Sequence, residues 1–546
     1  MEFSLNFVAL ASGLLGVSSH LAWFIHGDHI LHAPSYVVST ACGPPLIIVA
    51  LVQYFEFTLS AAIVTLAVSY GSFFAALFTS IGIYRLFFHP LRNFPGPVAS
   101  RVSQFVPILW AAKKLDHFRQ RDRLHAKHGE YVRIGPNLLS ISDPDMVMPV
   151  HGAQSTFEKA EWYDGGKPMT SIHQMRDKRL HDQRRRHGWD KAFTTKSLRG
   201  YDSRIIHYAD QLVDQIAERS GQVVNASKWL GYFAFDFMGD LAFGRSFNAL
   251  ATGKSHFYID MVRDSPRILG VTGAAGWIVH VIIKLIPKSM NPQGRLLLYS
   301  DKCVEERKKY EPKEPDVMSH IFEAGNFFDD PNLERDLLMG DSRLLIVAGS
   351  DTTSATFTHC FYHLSRDPTL VAKLRAELNE HKVENNDSLN ITALQYLPYL
   401  NGVINETLRL HPPVSGGLYR QTGAEGATIN GQQLPAGVNV IIPIYSVHRS
   451  PRAYVNPNEF IPERWSTQPE LVLKKDAFLP FSNGKFGCIG KQLALNELRT
   501  VISKLVLEFD VTFADGEDGS TLLNDSEDVF TTNCAELKLV WTKREK

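Results

Sequence analysis

Ten residues near the C-terminus, Phe481–Gly490, contain three glycines and one cysteine, and a helical pattern follows directly at 491–499. Glycine lets a backbone approach a large flat ligand closely, because it has no Cβ atom. Amide N–H groups at the start of a helix stabilise the anionic form of a nearby sulfur. A lone cysteine is more often a buried structural residue. The surrounding glycines instead favour Cys488 as a thiolate ligand, with Phe481 and Gly484 in the same ligand-binding loop.

A polar notch interrupts the apolar helical stretch Leu344–Thr353. It consists of Gly349, Asp351 and two threonines. A threonine inside a helix can bond back to a carbonyl one turn earlier and loosen the helix locally. Such a notch can form an oxygen pocket with a proton path through Asp351 and Thr352. Taken alone, the motif favours an ordinary buried helix whose hydroxyls are satisfied.

Two further motifs lie between these segments. Glu406 and Arg409 are three residues apart in a helical pattern that ends at Pro412, so they share one face and can pair. A surface pair of this kind is common and contributes little to stability. The second motif, Pro462-Glu-Arg-Trp465, follows about fifty residues later.

These four motifs, in this order, resemble those of the cytochrome P450 superfamily. The resemblance covers approximately residues 90–540 and implies that Cys488 is the axial ligand of a haem b iron. It also implies that Thr352 holds bound dioxygen and its water, while Asp351 supplies protons. The fold it implies is mainly α-helical with a small β-sheet part.

The resemblance assigns the remaining motifs to structure. Arg464 of the Pro-Glu-Arg-Trp motif is expected to complete a buried triad with Glu406 and Arg409. One carboxylate held between two guanidinium groups forms a rigid node, because each contact can be bidentate. We therefore predict a structural role for this triad on the haem-binding side.

The family also supplies arginines to the haem propionates. Alignment on Ala192-Phe193 assigns this role to Arg186, and Arg420 is expected to be a second partner. Asp182, however, lies four residues before Arg186, where tryptophan or histidine is frequent. Phe486 lies two residues before the cysteine, where most members carry arginine or histidine. We expect that contact to be absent or supplied by Lys485.

The N-terminal region predicts a membrane anchor. Between residues 2 and 85 the only charged side chains are Asp28 and Glu56, which leaves three uncharged stretches. Each approaches or exceeds the ~20 residues that cross a bilayer, although prolines interrupt the middle one. Met1-Glu2 lacks the basic start of a cleaved signal peptide. We predict that residues 1–88 form an anchor of one to three transmembrane helices.

The residues after the anchor predict its orientation. A cluster of basic residues between 85 and 114 predicts that the body lies on the cytoplasmic side of a membrane. The resemblance to microsomal members implies that this membrane is the endoplasmic reticulum. Residues 89–97 are rich in proline and form a stiff hinge. We assign residues 98–546 to a single haem-thiolate monooxygenase domain.

Charge and cysteine usage exclude other classes. Lys and Arg total 57, and so do Asp and Glu, which gives no bulk signal for nucleic acid. The five cysteines are scattered, without the paired spacing of a zinc site. These features favour a small-molecule protein whose main body faces a reducing compartment.

The predicted function is a monooxygenase that inserts one oxygen atom from O2 into a lipophilic small molecule. No GxGxxG fingerprint for a flavin or nicotinamide is present, so a separate NADPH-cytochrome P450 reductase is expected to supply electrons. The motif spelling most resembles fungal members of secondary metabolism. Two alternatives stay open: an isomerase or dehydratase of the same fold, and a non-enzymatic haem sensor.

Overall fold

The computed structural model describes residues 4–168, 170–384 and 389–545. The outermost positions of the predicted domains, 1–3 and 546, lie outside the described residues. The helices are α1 Leu5–Ser19, α2 Ala33–Tyr54, α3 Leu59–Ile83, α4 Val98–Val102, α5 Phe105–Lys113, α6 His117–His128, α7 Val147–His151, α8 Lys178–Arg184, α9 Asp190–Ala192, α10 Thr195–Ala217, α11 Ala226–Phe243, α12 Ala249–Thr252, α13 Phe257–Asp264, α14 Pro266–Thr272, α15 Gly276–Leu285, α16 Pro292–Arg307, α17 Val317–Glu323, α18 Pro331–Arg366, α19 Pro368–Glu384, α20 Ile391–Leu394, α21 Pro398–Leu410, α22 Ile444–Val447, α23 Lys491–Glu508 and α24 Ser520–Asp525.

The strands are short and belong to four small sheets. They are β1 Tyr131–Gly135, β2 Leu138–Ile141, β3 Glu158–Lys159, β4 Val223–Asn225, β5 Tyr419–Gln421, β6 Ala427–Ile429, β7 Gln432–Leu434, β8 Asn439–Ile441, β9 Phe509–Phe513, β10 Glu527–Asp528, β11 Thr532–Asn533 and β12 Lys538–Lys543. The largest sheet has the order β1-β2-β8-β5-β3, in which only β2 and β8 are parallel. The prediction of a mainly helical fold with a small sheet is confirmed.

Three N-terminal helical segments are long and apolar enough to cross a membrane: Leu5–Phe24, Ala33–Tyr54 and Leu59–Phe88. The first and third begin at side-chain caps, because Ser4 accepts from the Phe7 amide and Thr58 accepts from the Ala61 amide. The prolines of the middle segment lie inside α2 and do not end it. Three candidate spans among the described residues correspond to the upper limit of the predicted one to three.

The proline-rich segment after α3 is docked on the body. Leu91 and Phe94 are buried in the core formed by the largest sheet. The carbonyl of Pro95 accepts from the Arg133 amide at 2.7 Å. A Cβ atom on Gly96 would lie 2.2 Å from the Arg133 carbonyl oxygen, so only glycine permits this approach. These contacts fix where the anchor joins the body.

The long helix α18 runs through the centre of the body. It contains 36 residues and is therefore about 54 Å long. Asp330 caps its first turn and Pro331 occupies the first helical position. A Cβ atom on Gly349 would lie 2.6 Å from the Met238 sulfur, so this glycine allows α11 to pack closely. Most of the buried side chains of α18 belong to the main helical core, which also contains α10, α11 and α23.

Candidate active site

The loop before α23 holds Cys488 in one fixed position. The Cys488 amide donates to the Phe481 carbonyl at 2.8 Å, which closes the loop on itself. Gly484 has φ = +65°, and a Cβ atom there would lie 2.6 Å from the Gly152 carbonyl oxygen. A side chain at Gly484 would therefore be strained by its backbone conformation and by the close contact with the end of α7. The structure thus brings Phe481, Gly484 and Cys488 together.

The charge on the Cys488 sulfur depends on two opposing effects. Burial raises the pKa of the thiol. The backbone N–H groups of Gly490 and Lys491 donate toward the sulfur and lower the pKa, as do the positive charges of Arg185 and Lys491. These N–H groups and charges have their positions before any ligand binds. A metal cation at the sulfur would therefore add to surroundings that already favour the thiolate.

Buried cations surround the ring of Phe486, two residues before Cys488. The Lys159 Nζ atom lies 4.5 Å from the ring centre and the Arg420 guanidinium carbon lies 5.2 Å from it. Both residues are almost fully buried. They are partners across the β3–β5 pairing, and burial lowers the pKa of each. In the part of the chain that the structure describes, Lys159 and Arg420 donate hydrogen bonds to backbone carbonyls and not to a carboxylate. Two such positive charges form a site for an anionic group.

Unpartnered imidazole nitrogens lie beside these cations. Among the described residues, neither ring nitrogen of His151 nor Nε2 of His173 has a hydrogen-bond partner. The His173 carbonyl accepts from Lys159 at 2.7 Å, and the His151 carbonyl lies next to Gly484. Orphaned buried donors beside two cations and a thiol fit a ligand that carries both a metal ion and carboxylates. The residues present therefore fit haem and its propionates.

One of the predicted propionate residues lies away from this cluster in the structure. Arg186 is exposed, and its Nε atom donates to the Asp182 carbonyl. Arg185 instead lies close enough to Cys488 for its charge to lower the thiol pKa. The cause is the wide helical turn Arg185–Trp189, which inserts an extra residue into the helix. An alignment from Ala192-Phe193 that assumes ordinary helical spacing therefore selects Arg186, one residue after Arg185. Arg185 replaces Arg186 in our proposal.

This shift also changes the residue four positions earlier. His181, and not Asp182, is then four residues before the arginine, as is frequent in the family. The His181 ring contacts the Phe486 ring edge to face at 4.9 Å between centres. Lys485 is exposed at the surface of the loop. The position next to Phe486 is thus occupied by Lys159, Arg420 and His181, and Lys485 is not part of this cluster.

The motif predicted to bind oxygen lies on the central helix, which packs against α23. The Thr352 hydroxyl donates to the Ala348 carbonyl at 2.7 Å, one turn earlier. Ala348 itself is exposed, although it lies in the middle of the most central helix of the body. Cys488 also has accessible surface, although it lies deep enough in the protein for burial to raise its thiol pKa. Both accessible surfaces lie on or next to α18 and α23, which pack against each other.

Asp351 lines a small cavity in the body, and Thr352 is not among the residues that line it. This cavity has a volume of about 20 Å3, and Arg263 and Cys534 also line it. Burial raises the pKa of Asp351 to about 7, and the Arg263 charge and the Thr531 hydroxyl oppose this rise only in part. The Thr531 Oγ1 atom lies 3.4 Å from the carboxylate as a donor. A carboxyl group with this pKa can both gain and lose a proton near neutral pH.

The predicted triad is assembled with full hydrogen bonding. Glu406 accepts from Arg409 at 2.8 Å through both carboxylate oxygens, and from the Arg464 Nε atom at 2.9 Å. The Trp465 indole and the Ile461 amide each donate to the same carboxylate at 2.9 Å. All three charged side chains have no exposed surface. Such a node fixes α21 against the 462–465 turn.

A cavity of about 150 Å3 opens between the anchor and the body. Its walls are mainly aromatic and apolar, and one anchor residue contributes to them. Stacked rings form one side, with Trp162 between Tyr419 and Phe530 at 4.9 Å and 5.6 Å. Phe530 precedes Thr531, the residue that donates to Asp351. Its lining includes Ile30, Gln104, Trp110, Glu161, Trp162, Trp277, Tyr419 and Phe530.

Comparison with known proteins identifies the family. The sequence model described as Cytochrome P450 matches residues 97–539. The chain belongs to the cytochrome P450 family. It is 37% identical to the cytochrome P450 monooxygenase notG' of Aspergillus versicolor, over 99% of both chains. It is 35% identical to tryprostatin B 6-hydroxylase of Neosartorya fischeri, over 98% of both chains.

A third relative, the cytochrome P450 monooxygenase lcsK of Purpureocillium lilacinum, is 37% identical over 97% of both chains. These relatives are fungal monooxygenases, and they match this cytochrome P450 along the anchor as well as the body. The predicted family is confirmed, and with it the prediction of an oxidoreductase. Membership implies a haem iron with a cysteine thiolate ligand.

Two features of the site were absent from the sequence interpretation. Lys159 lies in a two-residue strand, and nothing in its local sequence indicates that it meets Phe486 across the sheet. Trp162 and Phe530 come from segments far apart in the chain. Only the run of aromatic and charged residues at 157–163 could have drawn attention to the first of these segments.

We predict that Glu406→Ala destabilises the body strongly. Removing one partner from a buried ion pair costs about 3–5 kcal/mol, because the opposite charges stay buried without compensation. Glu463→Ala is the matched control: Glu463 lies in the same turn and pairs with the exposed Lys373 at 2.6 Å. An exposed pair contributes about 0–1 kcal/mol. The midpoint of thermal loss of the haem absorbance should fall clearly for the first variant only. Equal shifts would contradict a structural node at Glu406.

Proposed function

We propose that this cytochrome P450 uses haem b to insert one oxygen atom from O2 into a lipophilic small molecule. The observation that carries this proposal is that two features occur together. Cys488, just before the start of α23, lies in surroundings that favour a thiolate, and the titratable Asp351 lies beside Thr352 on α18. An anchor at 1–88, a docked connector at 89–97 and a catalytic body at 98–546 are the domains of the proposal.

A haem bound through a thiolate would supply the oxidation, since electron donation from sulfur favours cleavage of the O–O bond. Cys488 would hold the metal through the anionic sulfur that the α23 amides stabilise. Arg185, Arg420 and Lys159 would hold the carboxylates of the group. The protein thereby fixes the orientation of the haem and excludes water from its edge.

Protons are delivered by residues of α18. Asp351 exchanges protons with the small cavity beside Arg263, and its pKa of about 7 keeps both protonation states populated. The Thr352 hydroxyl donates to Ala348 in the structure and can rotate toward a ligand at the accessible surface of α18. Controlled proton delivery keeps the reaction on the path to hydroxylated product. A non-enzymatic haem sensor would not need such delivery.

Electrons come from a separate NADPH-cytochrome P450 reductase in this proposal. The side of the body that carries the Cys488 loop is basic, with exposed Lys485 and Lys491 on the loop and at the start of α23. Positive side chains of this kind complement an acidic partner and accelerate encounter. The matched chain contains no nicotinamide-binding fingerprint of its own.

The substrate reaches the body from the membrane, which we propose to be the endoplasmic reticulum with the body on its cytoplasmic face. Phe105 and Leu109 of α5 and Leu285 of α15 are exposed apolar side chains on helices that also contribute residues to the aromatic cavity. Membrane-dissolved molecules of fungal secondary metabolism have the chemistry that such a cavity binds. Because one relative is a tryprostatin B 6-hydroxylase, tryprostatin B is the first probe.

The direct test is turnover of candidate terpenoids, indole alkaloids and polyketides by the full-length protein with reductase, NADPH and O2. Product that carries one atom of oxygen from 18O2 supports the proposal. Rearrangement or dehydration of a substrate without O2 would favour an isomerase instead. Haem binding without turnover of any bound ligand would favour a sensor.

We predict that Thr352→Ala uncouples the reaction. General acid–base groups contribute about 10²- to 10⁴-fold to rates, so product per NADPH should fall at least about tenfold while peroxide rises. Thr358→Ala is the control, because Thr358 makes the same type of hydroxyl-to-carbonyl bond at 2.8 Å on the same helix. Unchanged coupling in Thr352→Ala would remove this hydroxyl from proton delivery.

We also predict a pH dependence that belongs to Asp351. Burial raises its pKa to about 7, so the carboxyl carries a proton below this pH and loses it above. Product per NADPH should therefore fall as the pH rises through about 7, and Asp351→Asn should give a low and flat profile. Reductase activity toward cytochrome c at each pH is the control. A wild-type profile in Asp351→Asn would contradict the assignment.

A further inference from the structure

The loop between the first two membrane-spanning segments, residues 25–32, lies against the catalytic body. Ile30 lines the cavity of about 150 Å3 together with body residues. Asp28 forms an ion pair with Arg176 at 3.4 Å, and both side chains are about a quarter exposed. The following helix, α2, packs against α15, whose Gly276 and Trp277 line the same cavity. The anchor thus contributes to the wall of a cavity in the body.

This loop is ordered by its own contacts. The Asp28 carboxylate accepts from the Ile30 amide at 2.9 Å, so the group that reaches the body also fixes the Ile30 backbone. His29 bonds the Tyr36 hydroxyl at 2.9 Å, and the Trp23 indole donates to that hydroxyl at 2.8 Å. The ends of the two spans are therefore tied together. Ile30 is presented from a rigid support.

The body holds its half of the ion pair just as firmly. The Arg176 Nε atom donates to the Lys159 carbonyl at 3.2 Å, and Nη2 donates to Gln421 at 3.3 Å. Arg176 also pairs with the buried carboxylate of Asp164. The guanidinium group is fixed by three body residues, and Asp28 is the anchor residue that completes its set of contacts.

The number of spans agrees with this contact. With three crossings, the end of the first span and the end of the third lie on the same side of the membrane. The body follows the third span, so residues 25–32 face the body. The loop at 55–58, with Glu56, lies on the opposite side. A contact between residues 25–32 and the body is therefore compatible with all three segments crossing.

The cavity chemistry indicates what Ile30 meets. Trp110, Trp162, Trp277 and Phe530 present aromatic surface, and Ile30 adds the aliphatic surface that comes from the anchor. Trp277 is held in place by its indole, which donates to Gln104 at 3.1 Å. Surfaces of this kind bind a lipophilic, aromatic small molecule through burial of apolar area.

We propose that residues 25–32 form a specificity-determining wall of the substrate cavity, in which Ile30 contacts the substrate and the Asp28–Arg176 pair holds the wall in place. This inference rests on the proposed function, because it takes the cavity as the route to the haem. It assigns a role in ligand selection to an anchor loop, in addition to attachment to the membrane.

The test uses the full-length haem protein and two haem-binding probes of different size, imidazole and the bulky apolar azole clotrimazole. Their binding is measured from the shift of the Soret band, without any turnover. Ile30→Trp should weaken clotrimazole binding at least about tenfold by filling the cavity, and leave imidazole binding unchanged. Ile47→Trp, on the exposed face of α2, is the matched control and should bind both probes like the wild type.

The outcomes separate this inference from the proposed function. A wild-type protein that shows no Soret band, or no shift with imidazole, contradicts the proposed function itself. Wild-type affinity of Ile30→Trp for clotrimazole, with haem bound, overturns the role of Ile30 alone. Loss of imidazole binding as well would mean a general defect and would also overturn a role in selection.

A second variant tests the ion pair and does not depend on tolerance of a larger side chain. Asp28→Asn should raise both the association and the dissociation rate of clotrimazole several-fold, because the wall is held less firmly. Glu56→Gln, the matching change in the loop on the opposite side, should leave both rates unchanged. Equal rates in Asp28→Asn and the wild type would overturn the proposed function of the pair.

Discussion

The amide N–H groups at the start of α23, which lower the pKa of the Cys488 thiol, are the feature on which the rest of the site depends. Burial alone would keep this thiol protonated, and a neutral thiol is a poor metal ligand. The amide N–H groups of Gly490 and Lys491 counteract this effect without any change in the protein when a ligand binds. The glycine at 484 permits the loop geometry that places the sulfur at the helix start.

Buried charge explains much of the remaining architecture. Glu406 stabilises two buried arginines within one fully bonded node, so the protein needs no ligand to satisfy them. Lys159 and Arg420 differ, because among the described residues they hydrogen-bond to backbone carbonyls and to no carboxylate, and the Tyr163 hydroxyl is a further polar neighbour of Arg420. The contrast separates a structural charge cluster from a binding site. It also explains how Phe486 can stand where a basic residue is frequent: the positive charges come from the sheet beside it.

The motifs predicted the family and the mainly helical fold, and both are confirmed. They did so because the cysteine loop and the central-helix motif each impose a local geometry that few other sequences share. The propionate role predicted for Arg186 moves to Arg185 in our proposal, since the wide turn at 185–189 leaves no clear mark in the sequence. Lys159 and the contact of Ile30 with the body depend on pairings between distant segments, which local patterns do not encode. The assigned roles of the individual site residues stay predictions.

The most direct measurement is the absorbance of the reduced carbon monoxide adduct in Cys488→Ser, compared with Cys42→Ser, whose cysteine is exposed on α2. The account predicts that the wild type and Cys42→Ser show the red-shifted Soret band of thiolate-ligated haem, and that Cys488→Ser has lost it. A red-shifted band that survives in Cys488→Ser would mean that another residue is the ligand, and it would contradict the account.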